Sequence, residues 1–123
     1  MDKEFVPYEQ SLSLKGLGFD EPCFGYYEDN NLTITFPSTS ENGWKWVGNS
    51  IIPAKNTKAP LYQQAFRWFR EKYKFDSTIQ HNKKYVAIVY SSVENFSIDE
   101  YETYEQAELA CLKKLIEIVK QKL

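Results

Sequence analysis

The chain has 123 residues, the commonest size for a single domain, and 42% hydrophobic with 16% aromatic residues is too apolar for a disordered segment. Its apolar runs are only a few residues long, far short of the roughly 20 that a membrane helix needs, and the N-terminus shows neither a secretory nor a transit pattern. The expectation is one cytoplasmic α+β domain over residues 1–123, without cofactor or metal and with no membrane partner.

The formal net charge of -2 hides a bipolar arrangement. Between Trp44 and Lys74 seven cations (Lys45, Lys55, Lys58, Arg67, Arg70, Lys72 and Lys74) face only Glu71, a net +6. Between Glu94 and Glu108 six carboxylates (Glu94, Asp99, Glu100, Glu102, Glu105 and Glu108) have no basic residue among them, a net -6. Two explanations compete. The segments could neutralise one another across a surface, or the basic one could be a docking face.

In chain order, Pro7 and the pair Gly16 and Gly18 bracket a short helix that carries Tyr8, Leu12, Leu14 and Leu17. Residues 23–27 and 32–36 flank Glu28-Asp29-Asn30-Asn31, and Leu32, Ile34 and Phe36 alternate with Thr33 and Thr35, which predicts a β-hairpin with one buried face. Residues 37–60 lack a period and read as a long loop unless residues 44–47 form a strand. Pro60 then opens a helix over 61–74, with Tyr62, Phe66, Phe69 and Tyr73 in one row and Leu61, Ala65 and Trp68 in the next. Arg67, Arg70 and Lys74 fall at i, i+3 and i+7 on an outward stripe. Two strands follow, over 75–80 and 85–91, joined at His81-Asn82-Lys83-Lys84; the second is apolar on both faces and belongs at the centre of a sheet. Thr103-Tyr104-Glu105-Gln106 has capping-box spacing and starts a terminal helix whose stripe is Tyr104, Ala107, Cys111, Leu115 and Ile118. Together these elements predict a single antiparallel sheet with about three helices packed mainly on one face.

Little of the sequence points to catalysis. His81 is the only histidine and reads as a solvated turn residue, so a hydrolytic triad or an imidazole-based metal site lacks parts. Gly16-Leu17-Gly18 is not a dinucleotide loop, because the third glycine and the strand-to-helix context are missing. Asp99, Glu100 and Glu102 could gather a Mg²⁺ ion, yet acids before a helix start are accounted for by its dipole. Cys23 and Cys111 are expected to stay reduced as small core hydrophobes. Binding chemistry is better represented: Trp44 and Trp46 flank Lys45 and share one face if extended, the aromatic and cationic mixture of a protein hot spot or a nucleotide-stacking surface. The candidate partner-binding set is therefore Trp44, Lys45, Trp46, Lys55, Lys58, Arg67, Arg70 and Lys74, with no catalytic residue expected.

Three runs carry a resemblance: Asp20-Glu21-Pro22-Cys23-Phe24-Gly25-Tyr26-Tyr27; Ala59-Pro60-Leu61-Tyr62-Gln63-Gln64-Ala65-Phe66-Arg67-Trp68-Phe69-Arg70-Glu71-Lys72-Tyr73; and the stretch that opens with Tyr104-Glu105-Gln106-Ala107-Glu108-Leu109-Ala110-Cys111. They resemble a family of small uncharacterised proteins of bacteria and their phages or prophages, in whose pattern the two prolines before the helix stand closer together. Here Lys55-Asn56-Thr57-Lys58 separates Pro53-Ala54 from Ala59-Pro60 and looks like an insertion that adds two charges. For phage cargo of this size the resemblance implies an inhibitor of bacterial immunity of the anti-CRISPR kind. Its partner would be a host effector protein or ribonucleoprotein such as an RNA-guided nuclease, with contact to RNA or single-stranded DNA as the alternative. A metal-dependent enzyme with an acidic site is the weakest expectation. The order after Pro60, helix, strand, strand, a possible third strand and helix, is also similar to a double-stranded-RNA-binding domain, but Glu105 and Glu108 stand where that family places phosphate-gripping lysines.

Overall fold

The computed structural model describes residues 2–34, 38–40, 43–45 and 56–123. Their elements are a 3₁₀ turn at Asp2–Glu4, α1 (Tyr8–Gly16), β1 (Gly25–Glu28), β2 (Asn31–Ile34), β3 (Ser38–Ser40), β4 (Gly43–Lys45), β5 (Thr57–Ala59), α2 (Tyr62–Tyr73), β6 (Asp76–His81), β7 (Tyr85–Tyr90), β8 (Asn95–Tyr101) and α3 (Tyr104–Lys122). The fold is α+β, and the chain divides into two compact units, Met1–Leu61 and Tyr62–Leu123.

In the first unit α1 ends as its glycines predict. Gly18 takes φ 96°, Gly18 N–H donates to the Lys15 carbonyl at 3.1 Å, and Phe19 N–H donates to Leu14 at 3.0 Å. These two bonds make a Schellman stop, and Leu14 and Phe19, the two residues joined by the longer-range bond, are both buried. Pro7 is the N-cap, with extended ψ of 161°, rather than the first helical residue. β1 and β2 form the expected hairpin around Asp29, which takes φ 55°. β5 lies on the other side of β1, pairing Gly25 with Ala59 and Tyr27 with Thr57. Phe5, Tyr27 and Ala59 form the centre of this sheet's core, with Tyr8, Phe24, Leu32, Ile34 and Leu61 packed against it. The Val6 carbonyl accepts from both Tyr27 Oη at 2.8 Å and Ser11 Oγ at 3.2 Å, so one buried acceptor satisfies two buried donors.

In the second unit β7 is central, flanked by β6 and β8, all antiparallel. α3 touches all three strands and α2 contacts β6 and α3. Ala107, Cys111, Leu112 and Leu115 on α3, Ala87 and Val89 on β7, and Phe69 on α2 are fully buried. Thr103 caps α3 with both halves of the capping box: Gln106 N–H donates to Thr103 Oγ1 at 3.2 Å, and Thr103 N–H donates to Gln106 Oε1 at 3.3 Å.

Three expectations are corrected. The strands do not make a single sheet but two three-stranded sheets, β2-β1-β5 and β6-β7-β8, with the pair β3-β4 apart. The cause is β5. A three-residue strand inside a segment without periodicity gives no sequence signal, yet it occupies the second edge of β1, so the first hairpin completes its own sheet. Pro60 likewise does not open α2: its carbonyl accepts from Val6 N–H at 2.9 Å, and Leu61 bridges to Phe5. His81 is the last residue of β6 rather than a turn residue, and Tyr104 meets Tyr85 of β7 edge-on but stays 40% exposed.

Candidate functional site

α2 buries its aromatic rows, and its opposite side carries the cations. Tyr62, Ala65, Phe66, Trp68 and Phe69 are buried, with Trp68 edge-on to Phe69 and to Tyr73 at centroid distances of 5.1 and 5.4 Å. That burial turns the side chains of Arg67 and Arg70 outward, where they are 55% and 53% exposed. Arg67 Nε lies 3.8 Å from Glu71 Oε1 one turn on, and Arg70 Nε lies 3.9 Å from Asp76 Oδ1 at the start of β6. Exposed pairs at such separations contribute under about 1 kcal/mol, so neither carboxylate withdraws its arginine from solvent. Lys72 reaches back over the Trp68 ring at 5.1 Å and the Tyr73 ring at 5.5 Å. Lys74 follows the helix in the left-handed region, φ 63°, and its ammonium donates to the Glu71 carbonyl at 3.0 Å. The lysine thus caps one of the last carbonyls of α2, where the helix dipole favours a positive charge.

Of the other candidate residues, Trp44, Lys45 and Lys58 belong to the first unit. Lys58, in β5 of the first unit, donates to both the backbone carbonyl and Oδ1 of Asp20, each at 3.0 Å, and its side chain is 23% exposed. It holds the Asp20 segment against β5. Trp44 and Lys45 belong to β4, opposite Thr39 and Ser38 of β3. Trp46 and Lys55 lie outside the described residues. The structure therefore brings Arg67 and Arg70 together on α2, with Lys74 just past its last residue, and sets beside them three residues outside the candidate set: Lys72, Glu71 and Asp76. Glu71 was readable from its i+4 spacing to Arg67; Asp76 was not, because its meeting with Arg70 depends on the chain reversal at Lys74.

The acidic segment has its own local partners. Glu102 pairs with Lys84 at 3.2 Å and Glu94 with Lys122 at 3.4 Å. Glu108 is buried beside Cys111, whose thiol is pushed up from its ordinary value near 9 to about 11, mainly by burial, with the Glu108 charge adding to the rise and a hydrogen bond with Ser77 opposing it. A thiol so held stays protonated at neutral pH and is a poor nucleophile. Both cysteines are free and buried. Among the described residues no three of His, Cys, Asp and Glu converge where a metal ion could be held, and no helix is long and apolar enough to cross a membrane.

No family model, curated protein or solved structure matches this chain.

Proposed function

We propose that the protein is a non-enzymatic binding protein of phage or prophage type that docks, through the cationic face of α2, on an acidic surface of a nucleic-acid-handling host effector. The carrying observation is that Arg67 and Arg70 stand more than half exposed on the face of α2 opposite its buried aromatic rows. The resemblance of the three runs quoted above supports an inhibitor of the anti-CRISPR kind, with an RNA-guided nuclease or its guide RNA as the surface occupied. Charge on α2 steers the encounter, and occupancy of the effector surface is the whole mechanism. The order α2-β6-β7-β8-α3 also supports the similarity to a double-stranded-RNA-binding domain, but Glu105 occupies the first turn of α3 and repels the phosphates that this family grips there.

The test is the double reversal Arg67→Glu and Arg70→Glu, assayed for binding to purified RNA-guided effectors and for inhibition of their cleavage. Binding is expected to fall by two orders of magnitude or more, because attraction becomes repulsion at two positions. The melting midpoint is expected to stay within a few degrees of wild type, since exposed pairs contribute under about 1 kcal/mol each. A folded variant with full inhibition would place the docking surface elsewhere, and an unfolded one would make these arginines structural. Affinity for free oligonucleotides that falls steeply with salt would instead favour a single-stranded nucleic-acid-binding module.

A further inference from the structure

At the end of β6 and β7 remote from Lys74, His81 and Tyr85 are cross-strand partners, and their rings stack with centroids 4.2 Å apart and planes inclined by 8°. Tyr104, at the start of α3, stands edge-on to Tyr85 at 6.1 Å. Cross-strand ring pairs stabilise hairpins, which accounts for the face that each ring turns to the other. It does not account for the exposed imidazole, which sits on an edge strand at the end of the stack. The three-residue turn is held by Asn82 N–H donating to the Lys84 carbonyl at 3.1 Å. Of its two lysines, Lys84 is tied to Glu102, whereas Lys83 is exposed and has no ion-pair partner among the described residues. The acids of β8 lie two strands from β6, about 10 Å at ordinary strand spacing. That distance is about one Debye length at 0.1 M salt, so they weaken an anion's approach to the β6 edge without preventing it.

We infer that the β6-β7 tip is a stacking site for one nucleobase carrying a phosphate, the base extending the His81–Tyr85 stack and Lys83 meeting the phosphate. The ligand class is a single-stranded nucleic acid, since a base paired within a duplex cannot present its face to a side-chain ring. The site shares no residue with the cationic face of α2, and it stands or falls separately from the docking reading.

The chain has one histidine, so the imidazole proton signals report on this site alone. The experiment titrates the full chain at low salt with oligo(rA) of eight nucleotides, with 5′-AMP and with a 12-base-pair RNA duplex, following those signals by NMR. The expected result is a saturable upfield shift with the single strand and little with the duplex; AMP binding as tightly as the strand would identify a free nucleotide as the ligand. Lys83→Glu and His81→Ala should each weaken binding about tenfold or more, the usual loss for a stacked base or its cation. His81→Phe, which keeps the ring pair and so the hairpin, should bind within about threefold of wild type. Three results would each overturn the inference: no imidazole shift at millimolar single strand, affinity unchanged in Lys83→Glu, or a duplex that binds as well as the strand.

Discussion

Gly25 shows how a single atom is excluded. A Cβ at this position would lie 2.9 Å from Phe5 Cε1, 3.3 Å from Leu32 Cδ1 and 3.2 Å from the Thr33 carbonyl oxygen, and the last of these is backbone held in the β1-β2 ladder. Gly25→Ala should therefore destabilise the protein by about 1–3 kcal/mol, the usual cost of overpacking. A denaturant midpoint unchanged by the substitution would mean that Phe5 does not cover β1. The position was legible as part of a strand but not as a crowded one, because the crowding atom comes from twenty residues earlier in the chain. Cys111 makes a prediction of opposite kind, in pH. Its folded pKa of about 11 lies above its ordinary 9, so the neutral thiol favours the fold. That contribution is fully present below about pH 9 and is lost as pH rises toward 11, up to about 3 kcal/mol in all. Urea midpoints of wild type and Cys111→Ala should accordingly converge across that window; a constant difference would mean that the thiol is not shielded from water.

Among the elements, α3 was the most legible, since its start signal and its buried stripe are both local. Thr103→Ala removes one half of the capping box and should cost about 1 kcal/mol, while Leu115→Ala, at a fully buried position, should cost about 2–4 kcal/mol through transfer and cavity terms. Thermal or urea unfolding measures both, and a Leu115→Ala loss below about 1 kcal/mol would mean that the helix face is wrongly placed against β7. β7 was legible as the central strand for a related reason: an apolar run on both faces has nowhere else to go. β5 was not, because a strand of three residues has no room to show a period, and its partners in β1 are thirty or more residues away in sequence. The single expected sheet failed there, and the pair β3-β4 stands apart as well. Lys74 failed more subtly, since its i+7 spacing suits a helical stripe while its φ of 63° ends the helix instead.

At the scale of the whole chain, the bipolar charge was visible in the sequence, but its division was not. The basic centre is split between the two units, with Lys58 serving as an internal tie in the first and the arginines exposed in the second. No pattern along the chain distinguishes a cation that braces its own fold from one that is offered to solvent; the difference lies in whether a carboxylate and a carbonyl converge on it, as Asp20 does on Lys58. Lys74 has a consequence for how this surface would change under selection. A lysine in the left-handed region is conformationally disfavoured relative to glycine, so Lys74→Gly should raise stability by up to about 1 kcal/mol, less what its ammonium contributes at the Glu71 carbonyl, while removing a charge beside the docking face. A library randomised at this codon and sorted for thermal survival alone should enrich glycine, and the same library sorted for effector inhibition should retain lysine or arginine. Divergent outcomes from the two sorts would mark residue 74 as a place where foldability and recognition pull a lineage in different directions.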